Sequence, residues 1–153
     1  SKKDFKGLYI IAGVATGAIG IGMLVAQKLD LPFIYVRPQP KNHGQKNQIE
    51  GQLIKGERVL VIEDLISTGK SSLNAVKALK ENGAEILGMM ALFTYGFSIA
   101  EKAFDKAGVQ LQTLCDYQNL ISTALEKGEI SELQSENLKN WRKNPEIWSP
   151  KVH

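Results

Sequence analysis

Short apolar runs alternate with amphipathic stretches along almost the whole chain. Residues Leu8 to Ala12 are too short and too uniformly apolar for a surface helix, so they read as a buried strand. A small-residue loop, Gly13 to Gly20, leads into a helix over Ile21–Leu29. Pro32 resets the chain before a second strand, Phe33–Arg37. Residues 38–52 are polar, with Ile49 the only apolar side chain, and a stretch of that length predicts a flexible lid. Val59–Ile62 forms the third strand. A helix follows over Lys70–Asn82, with Leu73, Val76 and Leu79 inward and Gly83 as its stop. Glu85–Thr94 is the fourth strand. Ser98 with Glu101 has the form of a capping box and opens a helix closed by Gly108. Val109–Leu114 is the fifth strand, and two helices follow, Tyr117–Lys127 and about Glu129–Trp141. This alternation predicts a single α/β domain over residues 1–153. Its centre is a mainly parallel five-stranded sheet with right-handed crossovers and helices on both faces.

Composition narrows the function classes. The chain has 153 residues, enough to bury a real core in one domain. Nineteen Lys and Arg against 16 Asp and Glu give a net charge of +3, too small an excess to predict a nucleic-acid or membrane partner. No apolar stretch is long enough to span a bilayer. The single cysteine, Cys115, excludes an internal disulfide framework and predicts a reducing, cytoplasmic setting. Cys115 itself reads as a small core residue, and Trp141 and Trp148 as anchors for the C-terminal tail. The chain opens without Met and enters a strand almost at once, which predicts a missing upstream segment.

The chemistry concentrates after the third strand. Val59–Ile62 delivers Glu63 and Asp64 to the strand's carboxyl end, followed by Ser67, Thr68, Gly69, Lys70 and Ser71 at a helix N-terminus. Free N–H groups there bind phosphate, and the adjacent acids can hold sugar hydroxyls. The expected ligand therefore carries a phosphate and a polyhydroxyl group together, as a phosphorylated ribose does. A nucleoside-triphosphate loop is rejected, because Asp64 stands where that motif places its first glycine. The first loop, with glycines at 13, 17, 20 and 22, fails the dinucleotide spacing. It reads either as a second anion cradle or as a tight turn. Arg37, Lys41, His43 and Lys46 place cations in the long loop, where they could neutralise a departing polyanion or form a solvated linker. Tyr95, ending the fourth strand, faces the ligand edge and reads equally as a ring that could stack on a flat base or as part of a turn of packed rings.

Val61 to Gly69 resembles the signature with which type I phosphoribosyltransferases bind phosphoribosyl pyrophosphate. The segment Arg37 to Gly44, with Lys41-x-His43-Gly44, resembles the catalytic loop of the orotate phosphoribosyltransferases. The resemblance covers nearly the whole chain and implies the type I phosphoribosyltransferase fold. By position, it implies that Glu63 and Asp64 hold the ribose hydroxyls and that Ser67 to Ser71, with Thr68, Gly69 and Lys70, bind the 5-phosphate. Ala15, Thr16 and Gly17, continuing to Ala18, would form the pyrophosphate loop. Arg37, Lys41 and His43, with Asp64, would carry catalysis. It further implies Mg²⁺ held through the substrate, orotate as the accepting base, and a homodimer in which loop 38–52 serves the partner's site. The family's N-terminal hood has no counterpart before Ser1. The base contact stays open, with Tyr95 the aromatic candidate. Two other functions stay in view: transfer to another base, such as a purine, and a non-catalytic sensor of phosphoribosyl pyrophosphate.

Overall fold

The computed structural model describes residues 9–39 and 48–146. They form a six-stranded sheet in the order β3-β2-β1-β4-β5-β6. The strands are β1 (Tyr9–Val14), β2 (Phe33–Val36), β3 (Ile49–Glu50), β4 (Arg58–Ile66), β5 (Glu85–Thr94) and β6 (Leu111–Asp116). All neighbours pair in parallel except β2 and β3. The helices are α1 (Ala18–Leu29), α2 (Lys70–Glu81), α3 (Ser98–Ala107), α4 (Tyr117–Glu126) and α5 (Glu132–Lys143).

The apolar runs become strands because the central ones are covered on both faces, as parallel sheets require. One face packs Val59, Val61, Val76, Leu79 and Phe104 into the larger core. The other packs Ile11 and Ile62 against Ala18 and Ala26 of α1. Gly22 lets α1 lie close to the sheet, since a Cβ there would come within 2.8 Å of the Phe33 ring.

Four expectations need correction. The sheet gains a sixth strand at the far end of the predicted lid, because Ile49 is 5% exposed and pairs with Val36. The Arg37 N–H donates to the Gln48 carbonyl at 2.8 Å, so this end of the loop is pinned to β2. The capping box at Ser98 does not form. Phe97 occupies the N-cap, while Ser131 and Gln134 make a reciprocal box at the start of α5. Cys115 is exposed, because β6 is an edge strand and Leu114 beside it is 71% exposed. Finally, β4 does not stop at Ile62 but continues to Ile66 alongside β5. No helix among the described residues is long and apolar enough to cross a membrane.

Leu79 is fully buried between α2 and the sheet. Leu79→Ala is expected to cost about 2–5 kcal/mol in urea unfolding. Lys77→Ala on the exposed face of the same helix, where a 3.8 Å pair to Glu81 is the interaction removed, should stay within about 0.5 kcal/mol.

Candidate functional site

The site lies where the sheet changes direction. From β1 the chain winds outward through α1 to β2, while β4 enters on the opposite side of β1. The last β1–β4 pair is Gly13 with Ile62, after which the two strands part. Val14 to Gly17 leave on one side of the gap, and Glu63 and Asp64 line the other. Crevices of this kind, at the carboxyl ends of parallel strands, are where open α/β sheets bind ligands.

A cavity of about 320 Å³ fills the gap, lined by Val14 to Gly17, Glu63 to Leu65, Ser67 to Gly69, Ser71 and Ser72. Ala15, Thr16, Gly17, Glu63, Asp64, Ser67, Thr68, Gly69 and Ser71 are thus brought together. Lys70 is exposed and lines a neighbouring depression with Pro38 and Gln39. Arg37 follows β2 outside the cavity, its Nη1 3.4 Å from Glu50 Oε1. Lys41, His43 and Lys46, like Trp148, lie outside the described residues.

The two acids sit in different environments. Glu63 is 4% exposed and accepts hydrogen bonds from the Ser72 hydroxyl at 2.7 Å and the Asp64 N–H at 3.0 Å. Burial, ahead of the contact with Asp64, raises its pKa from the ordinary 4.5 to about 7. Asp64 is half-buried and accepts the Leu65 N–H at 2.8 Å. Its carboxylate lies against Gly17, where any Cβ would collide with it. Any larger residue at that position would require the Asp64 carboxylate to move.

The phosphate-ready feature is the start of α2. Gly69, at φ +79°, occupies the N-cap, no side chain caps it, and no acid stands in the first turn. The positive end of the helix therefore opens toward the cavity without a protein partner for an anion's place. Ser72 went unrecognised in the sequence, although its spacing offered a signal. It falls with Ala75, Val76 and Leu79 on the inward helical face, where a hydroxyl needs a partner.

A second and larger cavity, about 880 Å³, adjoins the first through Ser67 and Thr68. Tyr95 lies here rather than in the first cavity, together with Phe97, Trp141 and Arg142. Trp141 does more than anchor a tail: its ring lies 5.5 Å from those of both Tyr95 and Tyr117, docking α5 on the end of β5. Arg142 carried no sequence signal, being 47 positions from the Tyr95 carbonyl it meets.

Residues 3–119 match the family described as Phosphoribosyl transferase domain. An orotate phosphoribosyltransferase of Cytophaga hutchinsonii is 54% identical over 138 residues, covering 90% of this chain and 66% of that protein. One of Porphyromonas gingivalis is 54% identical over 146 residues, covering 95% and 70%. Among solved structures, an orotate phosphoribosyltransferase of Aeropyrum pernix aligns with a TM-score of 0.70 at 30% identity, covering 80% of this chain and 66% of that one. The UMP synthase of Leishmania donovani aligns at 0.74 and 25% identity, covering 88% and 29%. The chain spans about two thirds of the length of the curated relatives it matches.

The raised pKa has a measurable consequence. Between about pH 4.5 and 7 the unfolded chain releases the Glu63 proton while the folded chain keeps it. The contribution of Glu63 to stability is thus complete at low pH and is lost as pH rises through that window. Glu63→Gln removes this titration. Its melting temperature relative to the parent should rise by about a few degrees from pH 5 to pH 8 in thermal melts. A difference that stays constant with pH would mean that Glu63 ionises normally.

Proposed function

Since this chain belongs to the phosphoribosyl transferase domain family, we propose that it forms the core of an orotate phosphoribosyltransferase. The reaction transfers phosphoribosyl from phosphoribosyl pyrophosphate to orotate, giving orotidine 5′-monophosphate and pyrophosphate. One observation carries this reading: the open N-terminus of α2 and the Glu63–Asp64 pair share one small cavity. The names of the relatives at 54% identity support orotate as the base.

In this reading the backbone and hydroxyls of Ser67 to Ser71 hold the 5-phosphate. Asp64 and Glu63 hold the ribose hydroxyls, and Ala15 to Gly17 receive the pyrophosphate. The bond from ribose C1 to pyrophosphate breaks, leaving an oxocarbenium-like ribose, and a ring nitrogen of the base attacks the opposite face. No protein nucleophile takes part. The departing polyanion needs positive charge, which Arg37, Lys41 and His43 would supply, in the partner's site of a homodimer.

Glu63 and Asp64 offer the cavity's two carboxylates, and no group of three or more metal-holding side chains occurs among the described residues. That donor set fits Mg²⁺ carried mainly on substrate oxygens, where the ion would stabilise charge on the leaving group. The cytoplasmic setting belongs to the same reading, since an exposed free thiol such as Cys115 suits a reducing compartment.

The test follows the loss of orotate absorbance on adding phosphoribosyl pyrophosphate and Mg²⁺, with adenine and guanine as competing bases. Orotate consumption is the expected result, and Lys41→Ala should lower turnover by about two orders of magnitude or more with a smaller effect on KM. Consumption of a purine instead would overturn the base assignment. Binding of phosphoribosyl pyrophosphate with turnover of none of the bases would point to a sensor.

A further inference from the structure

We propose that Ser72 is a positioning residue for the ribose: its hydroxyl holds the Glu63 carboxylate in place, and so sets how strongly the site prefers a sugar phosphate to phosphate alone. The inference rests on the phosphoribosyl-transfer reading. It goes beyond that reading by adding a residue that acts through Glu63 rather than on the ligand.

Two consecutive serines stand in the first turn of α2, and the fold gives them different surroundings. Ser71 is exposed and lines both the first cavity and the depression beside Lys70. Ser72 is 1% exposed and turns inward with Ala75, Val76 and Leu79. Its hydroxyl crosses to β4 and donates to Glu63 Oε2 at 2.7 Å.

Glu63 needs such a partner. Its backbone is paired with Ala91 of β5, yet several rotatable bonds separate that backbone from the carboxylate. One donor meets each carboxylate oxygen: the Asp64 N–H on Oε1 at 3.0 Å and the Ser72 hydroxyl on Oε2. Together they set the plane of the group. An ionised carboxylate accepts about four hydrogen bonds, so each oxygen keeps a free lone pair at the cavity wall. A ribose hydroxyl therefore meets an acceptor that is already oriented, and little ordering remains to be done on binding. Without the Ser72 hydroxyl, the carboxylate would be held only through the N–H of its chain neighbour. The Ser72 N–H adds a link to the other end of the ligand. It precedes the first bond of the helix, from the Leu73 N–H to the Gly69 carbonyl at 2.9 Å, and so belongs to the donors a helix leaves open at its start. One residue thus offers its backbone toward the phosphate and its side chain toward the group that holds the sugar.

The experiment measures binding of ribose 5-phosphate and of inorganic phosphate by calorimetry. It is run at pH 8, above the value of about 7 to which burial raises Glu63. The parent protein is expected to prefer ribose 5-phosphate. Ser72→Ala should reduce that preference about five- to tenfold while phosphate affinity stays within about twofold. Ser72→Cys, which keeps the bulk of the side chain but offers only a weak donor, should fall with Ser72→Ala. In a Glu63→Ala background, Ser72→Ala should cause no further loss, because the two residues act as one unit.

A parent protein that binds ribose 5-phosphate no better than phosphate would overturn the phosphoribosyl reading itself. Given that preference, three results would each overturn this inference alone: an unchanged ratio in Ser72→Ala, an equal loss of phosphate affinity, or a full further loss in the Glu63→Ala background. A Ser72→Cys variant with the parent's ratio would do the same, since bulk rather than the hydrogen bond would then be what matters.

Discussion

The site depends on a stagger between two strands. β1 and β4 pair as far as Gly13 and Ile62, and then β1 ends while β4 continues along β5 to Ile66. Those extra residues have a neighbour on one side only. The other side becomes a crevice floored by Glu63 and Asp64, and the loop leaving β1 forms the facing wall. Because β4 is held by β5 along this overhang, the acids ride on paired backbone rather than on a free loop. The turn from Ser67 to Gly69 then starts α2 beside them. One continuous segment thus supplies both the carboxylates and the helix terminus.

Holding two adjacent carboxylates in a narrow gap has an electrostatic cost. The protein meets it by treating them unequally. Glu63 is withdrawn from solvent and given the Ser72 hydroxyl, whereas Asp64 remains half-exposed at the cavity face. Ser72 belongs to α2, so the same bond that steadies Glu63 also ties the helix to the strand. Gly17 completes the arrangement from the opposite wall, leaving the space that the Asp64 carboxylate occupies. Strand, helix and loop are thereby fitted to one another around a pair of side chains.

The central strands and their helices were legible because parallel strands buried on both faces leave uninterrupted apolar runs, as at Val59–Ile62. The acid pair and the small-residue turn that starts α2 were legible because they are consecutive in the chain. β3 was not, since two residues give no periodicity, and Ile49 reveals its role only when Val36 lies beside it. Ser98 misled because the capping pattern is short: the helix takes Ser98 as its first residue and leaves the cap to Phe97. Cys115 was misread because the apolar character of β6 says nothing about whether another strand lies beyond it. Arg142 and Trp141 meet β5 across more than forty positions, and no local pattern anticipates such a contact.

The exposure of Cys115 has a practical consequence. It is the only cysteine of the 153 residues, and it stands near the carboxyl end of β6, opposite Phe93 in the ladder. Phe93 in turn packs edge-on against Tyr95, which lines the larger cavity. A thiol-reactive fluorophore would therefore attach at one defined place, on the edge strand β6, without engineering. The protein comes with its own position for an optical label, one strand away from the ring cluster around Tyr95.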